Sequence, residues 1–176
     1  MGVRIIDVSD PTAPEIVDTF DIDGYAWGID SEGNYTYVCD DIYGLHIFET
    51  SVAINPQYRA TALMPDYSYD VDVVGDLAYL ACNEAGLQIV DVSDPDAPVI
   101  VGQLDGLGQI LCVRTEGDRA YLTRSGGSSD LKGLLVVDVS TPSAPFLLGT
   151  LTGDSHEGLG VAPGGDVAYY AADDYG

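Results

Sequence analysis

One segment of this 176-residue chain occurs three times. Gly86-Leu87-Gln88-Ile89-Val90-Asp91-Val92-Ser93-Asp94-Pro95-Asp96-Ala97-Pro98 returns as Gly133-Leu134-Leu135-Val136-Val137-Asp138-Val139-Ser140-Thr141-Pro142-Ser143-Ala144-Pro145, and it opens the chain as Gly2-Val3-Arg4-Ile5-Ile6-Asp7-Val8-Ser9-Asp10-Pro11-Thr12-Ala13-Pro14. A weaker copy, Gly44-Leu45-His46-Ile47-Phe48-Glu49, keeps the opening but has only Asn55-Pro56 in place of the two-proline turn. The opening glycines stand at 2, 44, 86, 133 and 176, giving spans of 42, 42, 47 and 43 residues. Gly33, Gly75, Gly117 and Gly165 form a second column, and a tyrosine follows each by four residues: Tyr37, Tyr79, Tyr121 and Tyr169. A period of this length marks stacked supersecondary units, because each unit buries its apolar face only against its neighbours.

Within a period the chain reads as four short strands bounded by Gly, Pro, Asp or Asn. In the third repeat these are 87–92, 99–104, 109–114 and 120–124. The first of them is apolar at nearly every position, which predicts a strand buried on both faces. No segment has a capped 3.6-residue apolar stripe, so no helix longer than a turn is expected. Four strands per period of about 40 to 50 residues is the arithmetic of a propeller blade. The expected fold class is therefore all-β: a β-propeller of four-stranded antiparallel blades, one domain over 1–176 with repeats at 2–43, 44–85, 86–132 and 133–175.

The runs Leu87-Gln88-Ile89-Val90-Asp91 and Leu134-Leu135-Val136-Val137-Asp138, with the Val-Ser-x-Pro-x-x-Pro turns after them, resemble the LVIVD-repeat β-propeller proteins. The resemblance is strong over three repeats and weaker over 44–85. It implies an interaction or display scaffold at the surface of a bacterial or archaeal cell, or secreted from one, and brings no catalytic residue set.

The phase of the repeat carries a further expectation. The chain opens on the two outer strands of one blade, continues through three whole blades and ends on the two inner strands of another. Either the halves, Val3 to Phe20 and Glu157 to Ala172, pair to close a ring of four, or the chain is cut from a longer propeller, the reading favoured because Gly176 matches the first residue of a fifth repeat. An open fragment exposes strand edges and a blade face, which favours self-association.

Asp and Glu number 29 against 6 Lys and Arg, a net charge of -23, with Lys132 the only lysine. Such a surface repels nucleic-acid phosphates and anionic lipid, leaving cations and basic proteins as partners. The excess of Asp over Glu fits a high-salt or calcium-rich setting; equally, many of these residues end turns, since Asp accepts hydrogen bonds from turn backbone. No apolar stretch approaches the roughly 20 residues of a membrane span, and the opening residues lack the layout of a signal peptide. Direct membrane insertion is not expected; the extracellular or cell-surface location is what the resemblance implies. Cys39, Cys82 and Cys112 show no metal-ligand spacing; they read as small buried residues, with one disulfide left open.

Aligning the inner strands on the landmark glycine gives the columns Trp27, Tyr69, Leu111, Leu159; Gly28, Asp70, Cys112, Gly160; Ile29, Val71, Val113, Val161; and Asp30, Asp72, Arg114, Ala162. Trp27, Tyr69, Asp30, Asp70, Asp72 and Arg114 are the candidate ligand-binding residues near the axis, the competing reading being that Arg114 pairs with Asp72 across adjacent blades. His156, in Asp154-Ser155-His156-Glu157, is a further candidate for lining a site. Neighbouring residues on a turn point different ways, so these cannot form a hydrolytic triad among themselves. Calcium takes six to eight oxygen ligands and tolerates loops, so Asp21, Asp23, Asp40, Asp41, Asp173 and Asp174 are the candidate ligands, although none sits in a complete motif. The hairpin Ser125 to Lys132, five residues longer than its counterpart in the second repeat, is the candidate contact loop. The expected function is a non-catalytic interaction scaffold for a protein or surface glycan, ahead of a calcium- or carbohydrate-binding surface domain, with a hydrolase last.

Overall fold

The computed structural model describes residues 2–52, 54–125, 132–151 and 157–173. These form sixteen strands: β1 (Gly2–Asp7), β2 (Glu15–Asp21), β3 (Ala26–Glu32), β4 (Tyr35–Asp40), β5 (Gly44–Glu49), β6 (Gln57–Ala62), β7 (Asp70–Val74), β8 (Leu77–Ala81), β9 (Leu87–Asp91), β10 (Val99–Leu104), β11 (Gln109–Glu116), β12 (Arg119–Ser125), β13 (Gly133–Asp138), β14 (Phe146–Thr150), β15 (Glu157–Gly164) and β16 (Val167–Asp173). Among the described residues there is no helix. The strands expected in the third repeat coincide with β9 to β12 to within two residues at each end.

Each sheet is an antiparallel meander. Three are complete, β3-β4-β5-β6, β7-β8-β9-β10 and β11-β12-β13-β14, and two are two-stranded, β1-β2 and β15-β16. This is the phase read from the sequence: two outer strands, three full units and two inner strands. The two half-sheets do not join, so the four-membered closed ring is not the arrangement in the structure. The landmark glycines turn the first hairpin of each unit at φ between +58° and +70°, a left-handed conformation that a Cβ disfavours.

The apolar third strands β5 and β9 are buried on both faces, as expected, with Leu45, Ile47, Leu87, Ile89 and Val90 inaccessible to solvent, whereas β13 alternates buried and half-buried positions. The core consists of layers between sheets. One joins Tyr37, Leu45 and Ile47 to Val71, Leu80 and Val90; the next joins Tyr79, Leu87 and Ile89 to Ile110, Val113 and Leu122. Each such side chain contributes about 1.5–3 kcal/mol by leaving water, and it does so only where a neighbouring sheet is present.

Candidate functional site

The first strands of successive sheets are neighbours, β3 beside β7, β7 beside β11 and β11 beside β15. The inner-strand acids therefore meet the next sheet, and they bond to its backbone. Asp30 Oδ2 accepts the Val73 N–H at 2.7 Å. Asp72 Oδ2 accepts the Thr115 N–H at 2.7 Å and the Thr115 hydroxyl. Both pairs lie 43 residues apart, so one staple repeats at two interfaces. At the third interface the acceptor position holds Arg114 and the donor position holds Pro163, which has no N–H to give. There Glu116 accepts the Gly165 N–H at 3.1 Å.

Arg114 pairs with Asp70, not Asp72. Its Nη1 lies 2.6 Å from Asp70 Oδ2, which also accepts the Val113 N–H at 3.1 Å. Burial disfavours the guanidinium charge, but Asp70, Cys112 and Asp72 together outweigh it, so the Arg114 pKa is raised. The inner-strand acids thus spend hydrogen-bonding capacity on holding sheets together.

Trp27 and Tyr69, from neighbouring repeats, do come together. Their rings meet edge to face, 5.6 Å between centroids and 90° between planes. Trp27 is 61% exposed and is flanked in sequence by exposed Tyr25, as Tyr69 is by exposed Tyr67.

The acidic hairpins divide. Asp40 Oδ1 accepts the N–H groups of Ile42 and Tyr43 at 2.7 and 2.9 Å, and Asp41 Oδ1 accepts that of Tyr25 at 3.1 Å. Asp21 and Asp23 line a cavity of about 350 Å³ with Tyr43, His46, Phe48, Tyr58 and Thr61. Among the described residues no group of three or more His, Cys, Asp or Glu could hold a metal ion. Asp174, His156 and most of the Ser125–Lys132 hairpin lie outside the described residues, as does the side chain of Asp173. Other acids act in turns: Asp7, Asp91 and Asp138 each accept the N–H of the serine two residues on, at 2.8, 2.9 and 3.0 Å. These serine bonds hold their carboxyls below the usual range.

The same cavity contains a chain of polar contacts that the sequence did not reveal. His46 Nδ1 lies 2.7 Å from Thr61 Oγ1, which lies 2.9 Å from the Tyr58 hydroxyl. On the other side His46 Nε2 stands 3.8 Å from Asp40 Oδ2, and neither atom has a hydrogen-bond partner. Burial lowers the His46 pKa while Asp40 partly opposes the shift. A hydroxyl, an imidazole and a carboxylate in this order suggest a hydrolytic triad, but 3.8 Å is beyond hydrogen-bond reach, so the acid does not orient the ring. No repeat column singled His46 out, since its counterparts Arg4, Gln88 and Leu135 share no type.

The three cysteines are free and buried, with burial pushing the Cys82 and Cys112 thiols up to about 12.

The LVIVD repeat family model matches residues 2–22, 23–51, 66–106 and 129–152. Among solved structures the chain is similar to the computationally designed Ika4 protein, at 8% identity and a TM-score of 0.70 over 86% of this chain and 88% of that one. It is also similar to the computationally designed Ika8 protein, at 9% identity and a TM-score of 0.67 over 84% of this chain and 42% of that one. No curated protein matches. With its repeat model matched over more than half of its length, the chain belongs to the LVIVD repeat family.

Proposed function

We propose that this chain is a section of a β-propeller that works as a non-catalytic interaction scaffold at the cell surface or outside the cell. The inner strands follow one another in order and each sheet runs outward from them, which supports the propeller reading. The location rests on the family resemblance alone.

One observation carries the binding role. Exposed Trp27 packs edge to face on half-buried Tyr69, flanked by exposed Tyr25 and Tyr67, on a chain of net charge -23. Exposed aromatics provide large, rigid contact area, and the charge favours a basic protein partner. The same ring faces suit stacking on a sugar, which keeps a surface glycan as the second reading. Arrays of cationic peptides and of surface glycans, probed with the chain and with Trp27→Ala, separate the two. A peptide signal lost tenfold or more in the variant, at unchanged melting temperature, supports the scaffold; a signal on glycans alone favours the carbohydrate reading; equal signals from both proteins overturn the Trp27 surface. Calcium binding by the acidic hairpins is tested separately: a melting temperature unmoved by millimolar calcium at fixed ionic strength removes it.

A further inference from the structure

The departures of the second repeat from the common pattern gather round the cavity beside His46. Phe48 faces Tyr58 across the ladder, where the other repeats pair Ile6 with Ile16, Val90 with Ile100 and Val137 with Leu147. One repeat further on, Asp21, Asp23 and Tyr43 become Leu63, Pro65 and Ala85. The family model passes over 52–65, the stretch that holds Tyr58 and Thr61. Aliphatic and small residues thus give way to rings and carboxylates, and all the walls of the cavity come from residues between 21 and 63.

The rings of Tyr43, His46, Phe48 and Tyr58 follow one another at centroid separations of 6.4, 6.4 and 5.8 Å. Tyr58 is exposed, yet its hydroxyl is tied through Thr61 to His46, which fixes the outermost ring. His46 is 8% exposed, and its Nε2 has no hydrogen-bond partner. Burial keeps that ring neutral at neutral pH, so the cavity holds no cation of its own. Asp21 and Asp23 are exposed, and among the described residues neither is in an ion pair.

We propose that this cavity binds an organic ammonium group, a primary or methylated amine on a short aliphatic stem, held by the carboxylates of Asp21 and Asp23 and the rings of Tyr43 and Tyr58. Aromatic faces attract such a cation and tolerate its alkyl stem, and the two acids supply the opposite charge. The volume of about 350 Å³ falls at the lower end of small-molecule sites, which run from about 300 to 1,000 Å³. A hard metal ion is the poorer occupant, because two carboxylates leave most of the six to eight oxygens that calcium takes unfilled. An anion is repelled by the net charge of -23. Trp27 does not line the cavity, so the inference stands apart from the Trp27 surface. The same chemistry is offered by a free amine and by a lysine side chain of a partner protein.

Nuclear magnetic resonance reads the site directly, because the chain has two histidines and the ring signals missing from His46→Gln are those of His46. n-Butylammonium and its neutral isostere 1-butanol are each titrated into the protein at neutral pH and fixed ionic strength. The His46 signals are expected to move and saturate with n-butylammonium, and 1-butanol to bind about fivefold more weakly or less. Asp21→Asn with Asp23→Asn is expected to weaken n-butylammonium about fivefold or more, and Tyr58→Leu about threefold or more, with far-UV circular dichroism unchanged in both. Asp105→Asn, which removes an exposed acid outside the cavity, is expected to leave binding unchanged. A Gly-Lys-Gly peptide with blocked ends separates the sources: binding at least as tight as that of n-butylammonium assigns the cavity to a lysine of a partner, and weaker binding assigns it to a free amine. Failure of n-butylammonium to saturate, equal binding of 1-butanol, binding that survives Asp21→Asn with Asp23→Asn, or an equal loss in Asp105→Asn each overturns the proposal. None of these outcomes bears on Trp27→Ala.

Discussion

Tyr79 and Tyr169 hold the same place in their repeats, four residues after a hairpin glycine, yet one is 6% and the other 70% exposed. Nothing local separates them. Tyr79 has a sheet on each side; Tyr169 stands on a half-sheet with none beyond it. Burial in this molecule is therefore a property of the interface between sheets, as expected for a quasi-one-dimensional array whose stability is a sum over neighbours. A side chain contributes according to where its repeat sits.

The sharpest way to break this comparison is to truncate both tyrosines. Tyr79→Ala is expected to cost about 3 kcal/mol, in line with large-to-small core substitutions, and Tyr169→Ala less than about 0.5 kcal/mol, as for an exposed site. Chemical denaturation of dilute protein measures both, and equal losses would contradict the account. A glycine pair gives the next largest effect. A Cβ on Gly102 would sit 1.8 Å from the Pro142 carbonyl oxygen of the next sheet's turn, whereas one at the equivalent Gly149 meets nothing within 4 Å. Gly102→Ala is expected to cost roughly 1–3 kcal/mol as overpacking, and Gly149→Ala to be neutral or slightly stabilising through the unfolded chain; thermal melts of the two variants check this.

The aspartate staples sharpen the comparison at finer scale. Asp72→Ala leaves the Thr115 N–H without its acceptor, at an expected cost of about 1–2 kcal/mol. Arg114→Asp is expected to create no matching staple at the next interface, because Pro163 offers no proton. A gain in stability on Arg114→Asp would contradict the staple account. The smallest effect is that of pH. Burial lowers the folded-state pKa of His46 below its unfolded value near 6.5, so the folded state prefers the neutral ring. Its contribution is present above about pH 6.5 and is lost as pH falls through the folded pKa. The ratio of stabilities of the protein and His46→Gln is expected to shift against the histidine across that window; a pH-independent difference would remove His46 as the titrating group.

Much of the fold was legible in the sequence because its determinants are local or periodic. The hairpin glycines, the two-proline turns and the mostly apolar third strand each act within a few residues, and the Asp-x-Ser turns at Asp7, Asp91 and Asp138 behave as turn chemistry predicts. The column alignment also brought Trp27 and Tyr69 together correctly. The staples were not legible, because Asp30 and Asp72 look like spare charges until a donor 43 residues away is known to lie opposite them. The Arg114 partner was misread for the same reason: Asp70 and Asp72 differ by two residues in sequence, and the choice between them depends on the offset between sheets. The His46–Thr61–Tyr58 chain joins the third and fourth strands of a sheet at positions with no repeated pattern, so no column pointed to it. Ring closure depends on the rotation between sheets, which no residue pattern specifies.

The central claim, that burial is set by neighbouring sheets and fails at the two ends, is tested most directly by native-state hydrogen exchange on dilute protein. The account predicts strong and similar protection of β8, β9 and β12, with β1 and β16 exchanging orders of magnitude faster. Protection of β1 and β16 equal to that of β8 and β12 at the lowest concentration would contradict it, because the ends would then already be covered within a single chain.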